Sequence, residues 1–152
     1  MPTREGKPPT LTGPIPVEPP YIIDSDAPRH IFIFSPEFVL RVVEGTKRQT
    51  VRRKRLREPR PGHIADLRHW TGKPYESPQR LIGERWISNV LPITFTDSSW
   101  ILINGDALDP EQENEFANAD GFHDRKAMWS YFQLNRAIPF TGHLIEWFPE
   151  GY

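Results

Sequence analysis

Hydrophobic positions along this chain recur at two different periods, and the changes of period mark its elements. Ile31-Phe32-Ile33-Phe34 is a short apolar run of β-formers and reads as a buried strand. Ser35 follows as a helix N-cap with Pro36 at the first helical position. Phe38, Val39, Val42 and Val43 then recur at helical spacing, and Gly45 ends the helix. Extended segments are predicted from His63 to Trp70, after a Pro59/Pro61-Gly62 turn, and from Leu81 to Thr96. Pro92 predicts a break or an edge position in the second of these. Trp100 to Ile103 is a further strand, closed by a turn at Asn104-Gly105-Asp106, and Thr141 to Phe148 is the last. Asp109-Pro110 opens a helix running to about Ala119. Asp124 opens another to about Arg136, with Ala127, Met128, Tyr131, Phe132 and Leu134 turned towards the core. Five or six strands, three short helices and no βαβ rhythm predict an α+β domain built on a small β-barrel.

The N-terminal stretch does not share this pattern. Residues 1–29 hold eight of the seventeen prolines, which favours an extended, polyproline-like arm ahead of a folded domain over 30–152. Its one apolar cluster, Tyr21-Ile22-Ile23, is a candidate anchor for the arm. At 152 residues the chain is long enough for one domain with a real core and short for two. It has no cysteine, which excludes disulfides and thiolate chemistry. No apolar run approaches the roughly 18 residues needed to span a bilayer, and the N-terminus lacks the apolar core of a signal peptide. The expected setting is therefore the cytoplasm, without a membrane partner.

Charge changes the picture more. The formal net charge is −1, yet residues 47–60 carry eight basic residues and one acid, a net +7. The remainder carries a net −8. A near-neutral total thus does not argue against an anionic ligand, because the field is local. Arg48, Arg53, Lys54, Arg55 and Arg57 are the candidate nucleic-acid contacts of this run. A solvated charged loop is the plain alternative.

Candidate chemistry starts inside the same run, where Lys47, Thr50 and Arg52 follow Gly45 within a few positions. A threonine hydroxyl becomes a nucleophile when a base removes its proton, and a lysine can be that base if burial or nearby positive charge lowers its pKa. Arg52 can hold a phosphate or an oxyanion. A basic strand in which Thr50 merely packs is the structural alternative. Asp120, before Gly121, suits a helix-end turn, and equally a carboxylate aimed into a cleft as general acid or base. His30, His63, His69, His123 and His143 show no paired metal-ligand spacing, so neither a metal nor a cofactor is expected. Trp70, Tyr75, Trp86 and Trp100 are candidates for stacking on a nucleobase.

The motif Gly45-x-Lys47-x-x-Thr50-x-Arg52 after a short helix resembles the signature of the ASCH domain family. Pro61-Gly62 before a strand resembles that family's turn. Phe116-Ala117-x-x-Asp120-Gly121-Phe122, followed by the helix around Met128 and Phe132, resembles its later motif. Phe140-x-Gly142-x-Leu144-Ile145-x-Trp147 resembles its closing strand. The resemblance covers about Ile31 to Phe148. It implies a PUA-like β-barrel with about three short helices and a cleft suited to RNA or a modified nucleoside. It also implies kinship with phage and prophage proteins, and so a host protein as a further candidate partner.

Some small bacterial members are amidohydrolases that remove the acetyl group of N4-acetylcytidine. Their lysine activates a threonine nucleophile while a glutamate assists proton transfer. Lys47 and Thr50 stand at the matching positions, and Asp120, one methylene shorter, stands at or near the glutamate. Other relatives are ribonucleases or RNA-binding modules without chemistry, so all three activities remain open here. Oligomeric state is not legible in the sequence.

Overall fold

A computed structural model describes residues 26–149. The Pro-rich arm, including Tyr21-Ile22-Ile23, lies outside the described residues except for its last four positions. In chain order the elements are β1 (Arg29–Phe34), α1 (Pro36–Glu44), β2 (Gln49–Arg52), β3 (Ile64–Trp70) and β4 (Gln79–Phe95). They continue with β5 (Ile101–Ile103), β6 (Asp106–Ala107), α2 (Pro110–Ala119), α3 (Arg125–Asn135) and β7 (Phe140–Trp147). The domain is α+β, with three helices and a seven-stranded mixed sheet among the described residues. That sheet is not closed: it runs β1-β3-β4-β5-β6, with β7 on β4 and β2 on β7. No helix among the described residues is long and apolar enough to cross a membrane.

The backbone of the arrangement is β4, one strand of 17 residues. Its first part pairs antiparallel with β3, from Gln79 opposite Trp70 to Trp86 opposite Ile64. Its second part pairs antiparallel with β7, from Ile87 opposite Trp147 to Phe95 opposite Phe140, with an irregularity between Ile87 and Asn89. Pro92 does not break the strand; it pairs with β7 on one side and lies just outside the β5 ladder on the other, the edge position its missing N–H requires. Its carbonyl accepts from Asn104 N–H at 2.9 Å, and pairing with β5 begins one residue on, at Ile93, so the missing N–H leaves no ladder bond unmade. β1 joins β3 in parallel register, Phe32 opposite Leu67, with α1, β2 and the basic loop as the crossover.

Local chemistry accounts for the element ends. Gly45 takes the left-handed conformation, φ 84°, and its N–H closes α1 on Val42 O. Asp109 caps α2 in a reciprocal box with Gln112. Asn104 and Gly105, both at positive φ, turn β5 into β6 as a two-residue hairpin. The last turn of α2 runs into a Schellman arrangement, in which Phe122 N–H reaches Ala117 O at 2.8 Å and Gly121 N–H reaches Asn118 O at 3.0 Å. Gly142 on β7 lies so close to the Arg52 carbonyl of β2 that a methyl group there would collide with it.

One continuous core fills the space between sheet and helices, with Phe95 at its centre. The Phe95 ring lies 4.5 Å from that of Phe132, 5.2 Å from Trp129 and 6.4 Å from both Phe116 and Phe140. Two expectations are corrected. β1 is half-buried rather than buried: as an edge strand it turns Phe32 and Phe34 inward and Ile31 out. In α3 the buried ridge is Met128 and Phe132, one helical turn apart, while Ala127 and Leu134 point away from it and are exposed.

Candidate functional site

Three separate segments build one cleft. From β1 and the start of α1 come Ile33, Phe34, Ser35 and Phe38; from the basic segment, Lys47, Thr50, Val51 and Arg52. The α2–α3 region supplies Asp120, Phe122, Tyr131, Phe132 and Arg136. The cavity measures about 80 Å³. That is several times the ~10–15 Å³ one water needs, and well below the ~300 Å³ of a pocket that engulfs a drug-sized ligand. It has room for one functional group, with the rest of a ligand left at the mouth.

Lys47 is placed by its backbone. Just past Gly45, its N–H bonds Arg41 O at 3.0 Å, folding the chain back against α1. The next residue, Arg48, donates to Ala119 O at 2.9 Å and accepts from Trp147 N–H at 3.1 Å, so the segment is stitched between the end of α2 and β7. The Lys47 side chain runs inward past Gly121, with Nζ 4.9 Å from the Phe38 ring centre and 5.4 Å from that of Phe34. Its ammonium donates to the Asp120 main-chain carbonyl at 2.5 Å and faces Asp120 Oδ1 at 3.7 Å. Asp120 ends α2 before the Gly121 turn, and it also lines the cleft.

Thr50 and Arg52 share one face of β2. The Thr50 hydroxyl oxygen accepts from Arg52 Nε at 2.9 Å, and Arg52 Nη2 donates to Ile33 O at 2.9 Å, tying β2 to β1. Arg136, just past α3, reaches Val51 O through Nη2 at 3.3 Å. No hydrogen bond among the described residues joins Lys47 to Thr50; the bonds of the amine go to Asp120 instead.

Burial dominates the electrostatics. It pushes the Lys47 ammonium down to about 8, against the opposing pull of Asp120 and with the help of Arg52 and Arg136. Burial likewise raises the Asp120 carboxyl, although Lys47, the Gln49 amide, Arg52 and Arg136 all pull the other way. Asp120 Oδ1 is buried without a hydrogen-bond partner. Arg52 sits below the usual guanidinium value because of burial, then Arg136 and Arg55.

The four residues singled out for chemistry, Lys47, Thr50, Arg52 and Asp120, come together in the cleft. The remaining basic candidates do not line it. Arg48, Arg53, Lys54 and Arg57 are exposed around it, with Lys54 paired to Glu58 at 3.5 Å. Arg55 folds its guanidinium over the Phe32 ring at 4.3 Å, and Arg53 lies 5.5 Å from the Phe140 ring centre. Among the aromatics, Trp86 is a core residue and out of reach of any base. Trp70 packs against Tyr75 near the β3–β4 connection, and Trp100 is exposed before β5; none of the three lines the cleft.

Arg136 and Tyr131 were not foreseen as site residues. An arginine at a helix C-terminus satisfies the helix dipole, so its sequence position carries no sign of a second role. Among the described residues no three histidine, aspartate or glutamate side chains converge to hold a metal ion. Compared with known proteins, the chain matches no family model, no curated protein and no solved structure.

Proposed function

We propose that the chain is an ASCH-type, PUA-like domain whose cleft receives RNA or a modified nucleoside, and that it deacylates N4-acylated pyrimidines. The observation that carries this reading is the convergence of Lys47, Thr50 and Arg52 with Asp120, from two distant segments, on one small cleft. The size of the cavity suits an acyl group entering while the nucleoside stays at the mouth. Thr50 Oγ1 attacks the amide carbonyl carbon as its proton passes to the neutral amine of Lys47. The N–H groups of Arg52 and Arg136 receive the oxyanion. Collapse breaks the C–N bond, and the exocyclic amine leaves with a proton from Lys47 or from the protonated carboxyl of Asp120. Water then hydrolyses the Thr50 ester, releasing the carboxylic acid. For the first step Lys47 must exchange its bond to the Asp120 carbonyl for one to Thr50, a tightening of the kind that substrate entry brings about.

A second reading has its own support. Lys47 is engaged by Asp120, and Thr50 by Arg52, as in a site that binds without reacting. Incubation with N4-acetylcytidine, with chromatography for cytidine, separates the two. Release by the wild type and none by Thr50→Ala supports deacylation. Salt-sensitive RNA binding with no release assigns the cleft to recognition alone, and RNA cleavage without added metal assigns it to a ribonuclease.

A further inference from the structure

The floor of the cleft carries more cation than anion. Lys47, Arg52 and Arg136 line it, and Asp120 is the one carboxylate among its lining residues. Asp120 faces Lys47, and neither arginine has a carboxylate partner among the described residues. Aromatic rings hold the guanidiniums instead. Arg52 Cζ lies 5.0 Å from the Phe34 ring centre, and Arg136 Cζ lies 5.5 Å from that of Phe140. Each guanidinium has five N–H donors; Arg52 uses two, on Thr50 and Ile33, and Arg136 uses one, on Val51. Half-buried guanidiniums with donors to spare call for an anionic acceptor.

Charge and size narrow its class. With Lys47 and Asp120 both ionised, the floor has a net +2; with the proton passed from Lys47 to Asp120, the two arginines alone still give +2. A phosphate monoester carries about −1.5 to −2 at neutral pH and offers three acceptor oxygens. An internal phosphodiester has one charge and two chain exits, whereas a cavity of about 80 Å³ closed by Phe34, Phe38 and Phe132 has space for a terminal group.

We propose that the cleft binds a terminal phosphate monoester of a nucleotide, held between Arg52 and Arg136. This rests on the nucleoside-binding half of the proposed function and not on deacylation. Phosphate and the oxyanion of the deacylation use the same donors, so a bound phosphate would compete with the acyl group for the cleft.

Calorimetric titration of the full chain tests it, with uridine, uridine 5′-monophosphate, orthophosphate and hexauridylate with and without a 5′-phosphate. The monophosphate should bind at least about tenfold more tightly than uridine, the size expected of a charge-assisted pair. Arg136→Gln should remove most of that preference, weakening the monophosphate far more than uridine. Arg136→Lys, which keeps the charge and loses the fork, should fall between and serves if the glutamine variant does not fold. Tighter binding of the phosphorylated hexamer than of the mononucleotide would assign the phosphate to an RNA end, and the reverse to a free nucleotide; both support the site. Equal binding of uridine and its monophosphate, or an Arg136→Gln protein that binds the monophosphate like wild type, overturns it. Turnover of N4-acetylcytidine without phosphate preference overturns this inference alone; phosphate preference without turnover overturns only the deacylation.

Discussion

Lys47 donates its ammonium to the main-chain carbonyl of Asp120 at 2.5 Å, while the carboxylate of the same residue stands 3.7 Å off with Oδ1 otherwise unbonded. A helix end is thereby closed by the side chain that the proposed deacylation uses as a base. The carbonyl of Asp120 is among those that α2 leaves without an intrahelical partner, and the lysine supplies it. The contact therefore couples the fold to the protonation of Lys47.

The coupling has a pH signature. Lys47 is held at about 8 in the fold against 10.5 in an unfolded chain. Between these values the unfolded state binds a proton that the folded state has released, so stability should rise with pH across that window. Relative to Lys47→Met, the wild type should gain on the order of 3 kcal/mol from pH 8 to 10.5, read by urea denaturation. A difference that stays flat would mean that Lys47 titrates as an ordinary surface lysine.

Asp120→Asn removes the one neighbouring charge that raises the Lys47 pKa. The amine should then lose its proton at lower pH. Under the deacylation reading, kcat/KM for N4-acetylcytidine rises with pH and levels off above about 8 in the wild type. In the variant that limb should move to lower pH, with a smaller plateau if Asp120 protonates the leaving amine. An unmoved limb would show that Lys47 is not the titrating base.

Gly121→Ala should be costly for two reasons. The residue sits at φ 95°, where an L side chain is strained, and a methyl group would meet Lys47 Cδ and Phe38 Cδ1 at 3.0 Å. Denaturation should show a loss of about 1–3 kcal/mol, with ligand binding weakened because the Lys47 stem is displaced. Unchanged stability would contradict the turn geometry.

Glu113 locks α2 to α3. Its buried Oε1 accepts from Trp129 Nε1 at 2.9 Å and from Arg125 Nε at 3.1 Å. Glu113→Ala leaves the indole N–H without its acceptor and should lower stability by about 2–3 kcal/mol. Glu113→Gln, which keeps an acceptor oxygen, should cost less, and tryptophan fluorescence should report the same order.

The local rules of the chain were legible wherever one residue type decides a backbone conformation. Ser35-Pro36 to Gly45, Asp109-Pro110 and Asn104-Gly105 mark α1, α2 and the β5–β6 hairpin where the structure has them. Candidate chemistry was legible in part because Lys47, Thr50 and Arg52 are close in sequence. Asp120 stands out by its place before Gly121, but only the resemblance joins it to Lys47 and Thr50, and Arg136 enters only through its tertiary bond to Val51 O. Pro92 marks an edge rather than a break, and which side of β4 lacks a partner there is a tertiary fact. Leu134 misled because apolar character alone does not say which side of α3 meets the sheet.

The span of β4 has a consequence for how the cleft keeps its width. One wall, Ile33 and Phe34, is attached through β3 to the first part of that strand; the other, Thr50 and Arg52, is attached through β7 to its second part. An extended strand does not stretch, so it works as a gauge bar that sets the separation of the two walls. The ladder is irregular at two points of the bar, at Ile82 against β3 and at Ser88, where the strand passes from one partner to the other. A single residue inserted at Ser88 would shift one wall by about 3.3 Å along the bar and turn its side chains to the opposite face. The site would be dismantled with every one of its residues still present.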